Sequence, residues 1–477
     1  MPPPRPSRYD SWVLEVIDAV TCILMYPFLQ ITSLGASHCV LITADNASLP
    51  YHILRCLVMG PISLVLAFVF APLVFIGYVL WVLLNKFADV QPFYYVSPSC
   101  QQPSVYKEGS ECASKFTFCS ANVLLSSKIV ECINNVRCGS GRVHKIARGL
   151  LQQDPSLNDS RNLHPPTKRE NIVQSKLPEV DVIILQEVLE RSRAKQLIKY
   201  FESKYPYCIY DVSVHSMTTN LCAVGSGLFL ASRYPVLEAT FHPFTYKTHY
   251  GIFVCYGILL TKLDLGILTE NSEAVRGVGY VTNIHTQAYQ GKEQVLKHQL
   301  EEVRQRVKSY ISNTHNPQNE VVVFSVIGGD FNCDNMSPGD AGTQDLPLWD
   351  EYKDPCRECA GTDKPWTVGT EHRQRRLHDP VLEKPEIFRD ILLDDVQRRI
   401  FMLDANIKEQ TLELMWVNPK PGPSGMVEAI KEGGRRRIDH LILRNGDMVK
   451  PTAFWFSTVI GGLSDHMPVA LTVERKL

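Results

Sequence analysis

Eight polar residues stand at the ends of short apolar runs, and their types suit phosphoryl chemistry. Asn122 sits in CSANVLL, Glu187 in LQEV, His285 in NIHTQA, Asp330 and Asn332 in GGDFN, Asp439 in RRIDHL, and Asp465 with His466 in LSDHMP. Singly each is a weak signal, because a lone Glu after apolar residues more often ends a strand and a lone His more often belongs to a satisfied loop. Together they offer carboxylates and amides for a hard divalent cation, and two imidazoles for proton transfer and for holding an oxyanion. An oxygen-rich set with few ligands suits Mg²⁺, which keeps several waters and borrows phosphate oxygens from its substrate. There is no HExxH, and no His/Cys spacing favours zinc. Cys356-x-x-Cys359 lacks a second CxxC, so it reads as a loop pair more readily than as a structural zinc site.

The elements that must position these groups form a regular series from 115 onward. KFTFCSANVLL reads as a strand ending at Asn122, and DVIILQEV as a short buried strand followed by the charged helix RSRAKQLIKYFESKY. GSGLFLAS, GIFVCYGILLTKL, VGYVTNIHT and VVVFSVIGGDFN continue the strands, and RRRIDHLIL and MPVALTV close them. Leu296, Leu300, Val303, Val307 and Ile311 mark a helix by their spacing. Interleaved strands and helices with polar groups at strand ends predict a layered α/β or α+β domain with a mouth at one edge. The expected organisation is a domain over 115–477 with insertions near 151–170 and 333–415, preceded by a Pro-, Ser- and Gly-bearing linker over 87–114.

Residues 1–86 are of another kind. The 477-residue chain is ordinary on average, 45% hydrophobic with 49 basic and 50 acidic side chains, which excludes a basic nucleic-acid coat or an acidic disordered chain. Yet 19–44 and 56–85 hold no Asp, Glu, Lys or Arg. The eighteen Leu, Ile, Val and Phe of the second run offer roughly −5 to −11 kcal/mol towards insertion, an upper bound. Both runs exceed the ~20 residues of a membrane-crossing helix. Pro27, Gly60, Pro61, Pro72 and Gly77 interrupt them, which suits re-entrant hairpins as well as spans; a buried helical pair in a soluble core is the competing reading. Asp10, Glu15 and Asp18 replace the basic start of a signal peptide. Two crossings or none leave the rest of the chain on the side of the N-terminus, and Arg5 and Arg8 put that side in the cytosol. The sequons at Asn158 and Asn335 then never meet the glycosylation machinery, and Asn46-Ala47-Ser48 lies between the apolar runs. Fourteen cysteines without a paired framework fit a reducing compartment, with Cys22, Cys39, Cys56 and Cys100 placed for palmitoylation or simply as small core residues.

The ordered set LQEV, SGLFLASRYPV, IHTQA, GDFN, RRIDHL and SDHMP resembles the endonuclease/exonuclease/phosphatase superfamily. With two apolar segments ahead of FTFCSANVLL, the whole chain resembles the membrane-anchored neutral sphingomyelinases, the sphingomyelin phosphodiesterase 3 and 5 group. The short interval between Asn122 and Glu187 leans to type 5. That resemblance implies a DNase I-like four-layer αββα sandwich behind an N-terminal hydrophobic helical membrane region. It implies Mg²⁺-dependent hydrolysis of sphingomyelin to ceramide and phosphocholine, with Mn²⁺ as a replacement ion and anionic phospholipids as activators. Nucleic acid is not an expected partner. Glu187 then holds Mg²⁺ with Asn122 beside it, and Asp465 supports the metal. His466 is the general base oriented by Asp439, working near its ordinary pKa. Asp330 and Asn332 position the water or protonate the leaving oxygen, and His285 holds a phosphoryl oxygen.

In one place the chain departs from the family, whose members carry an Asp and a Lys, five residues apart, in the strand ahead of the IHTQA-type motif. The matching stretch here is YKTHYGIFVCYGILL, with Gly251 and Tyr256 at those positions and Lys247 and His249 in the loop before them. Two alternatives stay open. One is a tethered nuclease, deadenylase or inositol phosphatase using the basic clusters His372-Arg373-Gln374-Arg375-Arg376 and Arg435-Arg436-Arg437, which suit nucleic-acid phosphates, anionic lipid heads or plain solvated loops. The other is a membrane scaffold with reduced activity. The expected location is an intracellular membrane (endoplasmic reticulum, Golgi, mitochondrion-associated, or the inner leaflet of the plasma membrane) with the catalytic domain in the cytosol.

Overall fold

The computed structural model describes residues 4–43, 49–98, 109–136, 139, 141–158, 169–214, 224–270, 273–288, 294–409 and 418–476. Cys100, the Asn46-Ala47-Ser48 sequon and residues 159–168 of the 151–170 insertion lie outside the described residues.

Two sheets stack face to face. The first contains β1 (Tyr94–Val96), β2 (Lys115–Leu125), β3 (Val173–Gln174), β4 (Val182–Val188), β5 (Tyr207–Tyr210), β6 (Phe229–Ser232), β15 (Val449–Ser457) and β16 (Val469–Arg475), in the order β1-β5-β6-β4-β2-β16-β15-β3. The second contains β7 (Val236–Pro243), β8 (Gly257–Glu270), β9 (Glu273–His285), β10 (Glu320–Asp330), β11 (Tyr352–Lys353) and β14 (Asp439–Arg444), in the order β11-β14-β10-β9-β8-β7. Alternating side chains divide between two faces of each sheet. Phe118, Ile184, Leu230, Leu259, Val281, Phe324, Val326 and Leu441 fill the space between the sheets.

The opposite faces are covered by helices. Ala121, Ile183, Leu185 and Phe229 meet Ile146 and Leu150 of α4 (Arg142–Leu151) and Leu197 and Phe201 of α5 (Arg191–Phe201). On the second sheet, Leu260, Tyr280 and Ile327 meet Leu296, Leu300, Val303 and Val307 of α6 (Val295–Thr314), the face that the spacing predicts. The result is the four-layer αββα sandwich.

Two stretches differ from their sequence reading. The linker over 87–114 contributes β1, whose Tyr94, Tyr95 and Val96 pair with Tyr210, Ile209 and Cys208 at the outer edge of the first sheet. The 333–415 stretch, read as carrying long loops, holds β11 and a small β12 (Arg357–Cys359) and β13 (Thr362–Asp363) hairpin. It also holds α7 (Leu348–Glu351), α8 (Pro385–Leu393) and α9 (Asp395–Phe401). Its charges turn inward. Arg436 is fully buried and pairs with Asp340 at 3.0 Å and Glu371 at 2.6 Å, while Arg437 pairs with Asp354 at 2.9 Å and Asp363 at 2.8 Å. Arg373 and Arg435 are buried as well, and only Arg375 of the two basic clusters is exposed. Arg373, Arg436 and Arg437 are therefore internal counter-ions of acidic residues in the insertion, and Arg435 donates to the Lys364 carbonyl and Thr367, so these four do not face phosphates, lipid heads or solvent. The carboxylates lie far away in sequence, which conceals the pairing. Asn335 is likewise buried, donating to Cys359 O and Asp363 Oδ1, so its sequon is closed to modification.

The N-terminal runs form α1 (Trp12–Ser37) and α2 (Leu49–Phe87), packed on each other as a hairpin. At 1.5 Å per residue, 26 and 39 residues give lengths of about 39 and 58 Å, beyond the ~30 Å hydrocarbon layer. The usual burial is inverted. α1 buries Asp18, Thr21, Ser33, Gly35 and Ser37, while α2 exposes Leu64, Phe68, Val69 and Phe75. Asp18 meets Arg191 at 2.8 Å, and Ser33 Oγ accepts the Ile129 N–H at 3.1 Å, so polar contacts hold the hairpin to the sandwich. A surface this apolar, left uncovered, marks membrane association. Cys22 and Cys39 are exposed on this hairpin and Cys56 is partly so.

Candidate active site

Strand register brings the chemistry-bearing residues to one end of both sheets. β10 pairs with β9 so that Asp330 lies opposite His285, and with β14 so that Asp330 lies opposite Asp439. His285, Asp330 and Asp439 therefore form one row across the second sheet. In the first sheet Asn122 pairs with Gln186, and the ladder between β2 and β4 breaks immediately afterwards, resuming at Leu125 and Val188. The strand thus runs three residues past Asn122, with a bulge at the site. Bulges of this kind re-aim side chains beside active sites.

The backbone is held in unusual conformations here. Glu187 has φ 59° and Asn332 φ 49°, in the left-handed region that costs a non-glycine residue roughly 1–3 kcal/mol. Gly227 makes room for the turn at Glu187, since a Cβ there would lie 2.8 Å from the Glu187 Cα. Gly329, at φ 141°, performs the same service beside Asp330, where a Cβ would meet Ile284 O at 2.0 Å.

Side chains from the two sheets then meet. Asn122 Nδ2 donates to Glu187 Oε1 at 2.9 Å and to Asp330 Oδ2 at 3.0 Å, while its own Oδ1 accepts the Leu124 N–H. Asn122 thus presents its amide N–H groups to the two carboxylates. His285 Nε2 lies 3.6 Å from Asp330 Oδ2 and 3.9 Å from Glu187 Oε1. His466 Nδ1 is 2.9 Å from Asp439 Oδ2, and its Nε2 is 3.8 Å from Asp330 Oδ2. Asn332 turns its amide away to the Thr286 carbonyl at 2.8 Å, and its N–H donates to Asp330 Oδ1 at 2.9 Å. It braces Asp330 and does not extend the row.

Electrostatics separate the two histidines. Burial pushes His285 down to about 4, leaving it neutral. Burial also opposes charge on His466, but Asp439 and Asp330 outweigh it and hold the imidazole well above its ordinary value. This corrects the expectation of a base near its ordinary pKa, and the cause is two carboxylates facing one ring. Glu187 is pushed up to about 7, by burial first and the Asp465 carboxylate second, although its side chain keeps 20% exposure. Asp330 is raised too, chiefly by burial.

Among the described residues no lysine or arginine pairs with Glu187, Asp330, Asp439 or Asp465, and Asp439 Oδ1 is buried without a hydrogen-bond partner. Asp330, Asp439 and His466 bring ligand atoms within 4.8 Å of one another, and the carboxylates gathered here are a donor set that fits a hard divalent ion.

Tyr256 also belongs to the site, edge-on to His285 with ring centroids 4.9 Å apart, and its hydroxyl is hydrogen-bonded to that of Tyr250. Gly251 packs flat on the Gln287 carboxamide, where an added Cβ would lie 2.0 Å from Oε1. Lys247 directs Nζ to the Val254 carbonyl at 3.4 Å. No motif contains Thr370, whose Oγ1 accepts the N–H groups of Ile438 and Asp439 at 3.1 and 3.2 Å, and Gln186 of LQEV and Asn283 of NIHTQA, not singled out by sequence, are joined across the sheets at 2.7 Å. Cys356 is buried and Cys359 exposed, both as free thiols.

Stacked sheets whose adjoining ends bring an Asn–Glu pair against a His–Asp–Asp row are the arrangement that the resemblance to the endonuclease/exonuclease/phosphatase superfamily implies. The chain's relatives are more specific. It is 30% identical over 341 residues to sphingomyelin phosphodiesterase 5 of Danio rerio, across 67% of this chain and 59% of that protein. It is 31% identical to sphingomyelin phosphodiesterase 3 of Mus musculus, across 65% and 47%. To sphingomyelin phosphodiesterase 5 of Mus musculus it is 26% identical over 486 residues, across 98% and 94%. By sequence the chain is thus similar to sphingomyelin phosphodiesterases 3 and 5, and it spans only about half the length of the first two of these relatives. No protein-family model matches it. Among solved structures, a beta toxin of Staphylococcus aureus with bound magnesium ions is similar at 14% identity and TM-score 0.39, over 76% of this chain and all of that one.

Proposed function

We propose that this chain is a Mg²⁺-dependent sphingomyelin phosphodiesterase that releases phosphocholine and leaves ceramide in the membrane. The observation that carries the reading is the His466–Asp439 pair, at 2.9 Å, set against carboxylates that Asn122 gathers from both sheets. Glu187 and Asp465 hold the ion, and Asn122 fixes the Glu187 carboxylate. When bound, Mg²⁺ supplies positive charge to the phosphodiester and to the leaving oxygen.

The protein's own residues do the rest. His466 takes a proton from the attacking water at Nε2, while Asp439 accepts from Nδ1 and so fixes tautomer and orientation. Neutral His285 donates to a phosphoryl oxygen. Asp330, braced by Asn332, lies between the two imidazoles and orients the water or returns a proton to the leaving alkoxide. Tyr256 packs edge-on to His285 at the position where the resemblance implies a lysine.

The apolar hairpin brings the domain, 115–477, to the bilayer interface where the scissile bond lies, raising its effective concentration. The active site faces the cytosol on an intracellular membrane, and anionic phospholipids assist docking. The test is substrate choice by the full-length protein: sphingomyelin in mixed micelles against RNA, DNA and an inositol polyphosphate, each with Mg²⁺. Cleavage of sphingomyelin alone is the expected result, and cleavage of any of the others in its place overturns the reading.

A further inference from the structure

Gln374 lies in one of the arginine-rich clusters and outside every motif that points to chemistry, yet it reaches the site. Its side chain is buried, and Nε2 donates to Asp465 Oδ2 at 3.2 Å and to Asn134 Oδ1 at 2.9 Å. Its Oε1 is buried with no donor among the described residues, so two acceptors on the nitrogen side set the orientation of the amide. The same segment also grips the Asp465 backbone, because the His372 N–H donates to the Asp465 carbonyl at 2.8 Å. Among the described residues, the other carboxylate oxygen, Oδ1, has only a long 3.4 Å contact, with Ser464 Oγ.

The contacts continue outward. The Gln374 carbonyl accepts from Asn135 Nδ2 at 2.5 Å, and Asn135 is fully buried in a left-handed conformation at φ 54°. Asn135 Nδ2 also donates to Thr43 Oγ1 at 2.8 Å, and its Oδ1 accepts the Thr43 N–H at 2.7 Å. Thr43 lies six residues beyond the end of α1. One hydrogen-bonded path therefore runs from the turn of the apolar hairpin through Asn135 and Gln374 to an acidic residue of the site.

We propose that Gln374 is a positioning residue for the cation site: its Nε2 fixes the Asp465 carboxylate, and Asn135 ties that contact to Thr43 at the end of the hairpin. The inference rests on the reading of Asp465 as part of that site. A carboxylate that contributes one oxygen to an ion is oriented by the hydrogen bond to its other oxygen, and loss of such a partner typically weakens metal binding about 10- to 100-fold. Buried partners of this sort act on affinity more than on the chemical step.

The test measures Mg²⁺ affinity by titration calorimetry on the full-length chain in lipid nanodiscs, with turnover on sphingomyelin at saturating Mg²⁺ beside it. Gln374→Met, of similar length but without a donor, should raise the Mg²⁺ Kd about 10- to 100-fold while saturating Mg²⁺ restores most of the turnover. Gln374→His, which keeps a ring N–H near the position of Nε2, should bind close to wild type. Asn135→Ala should weaken binding less, and combining it with Gln374→Met should add nothing, because the two contacts act in series. An unchanged Kd in Gln374→Met overturns the inference. If that variant does not fold, an unchanged Kd in Asn135→Ala overturns the tie to the hairpin, and a weakened one supports it. A wild-type chain that binds no Mg²⁺ overturns the reading of the metal site instead.

Discussion

His466 and Asp439 are 27 positions apart in sequence and share a 2.9 Å hydrogen bond, Nδ1 to Oδ2, at the buried edge where the two sheets meet. The contact raises the imidazole pKa, and Asp330 on the other side of the ring raises it further. A base works only when deprotonated, so activity should climb as pH rises through the His466 pKa. Asp439→Asn removes one of the charges that favour imidazolium. The ascending limb of the kcat/KM profile should therefore move to lower pH, even as the maximum falls through lost orientation. A limb that stays in place, measured against wild type over the same range, would exclude His466 as the titrating base.

Glu187 is the carboxylate that Asn122 orients and that burial and Asp465 crowd together push up to about 7. Glu187→Gln keeps its shape and removes its charge. Turnover should fall by about 100-fold or more, and excess Mg²⁺ should recover only part of it. Full recovery at high Mg²⁺ would mean that Glu187 is not the principal ligand.

The sequence made the layers and most of the site legible because apolar runs of strand length carry their polar residue at the end. Register across β9, β10 and β14 then aligns those ends. What it concealed depends on distance along the chain. Arg436 and Arg437 look like a surface cluster until their partners Glu371, Asp334, Asp354 and Asp363 fold over them. Thr370 and Gln374 sit in the stretch with the least periodicity, so nothing in their neighbourhood announces that they brace Asp439 and Asp465. The electrostatic contrast between His285 and His466 is also absent from the sequence, since both end similar motifs and differ only in the carboxylates that face them.

Tyr256 stands where the resemblance implies a lysine, and the proposed function predicts a gain on placing one there. Tyr256 is edge-on to His285, so a lysine there brings an ammonium to the phosphodiester, a charge-assisted contact typically stronger than that of a neutral hydroxyl. Tyr256→Lys should raise turnover. Gly251→Asp, which restores the family's carboxylate, should cancel the gain, because its Cβ displaces the Gln287 carboxamide and breaks the bonds to the Thr248 N–H and Oγ1. Lys247→Ala should change little, its ammonium being turned to the Val254 carbonyl. Comparing kcat for the three variants and the double mutant decides the matter; a gain that survives Gly251→Asp would show that Gln287 yields freely.

Removing residues 1–86 should leave a folded sandwich, whose strands begin at Tyr94. Arg191 keeps Asp211 at 2.6 Å after losing Asp18, but Ile129 loses its Ser33 partner and Asn135 its contacts with Thr43, so the truncated chain should also bind Mg²⁺ more weakly. The truncated protein should stay in solution and lose most activity on bilayers, but less on short-chain soluble substrate. Co-sedimentation with vesicles as complete as that of the full chain would place the anchor outside the hairpin.

The most direct measurement of the central claim is phosphocholine release from sphingomyelin in phosphatidylserine-containing micelles, by the full-length protein and by His466→Ala, with Mg²⁺ and with EDTA. The account predicts release by the wild type in Mg²⁺ alone, abolished by EDTA, restored by added Mg²⁺ and absent in His466→Ala. Release that persists in EDTA, or that His466→Ala retains, would contradict it.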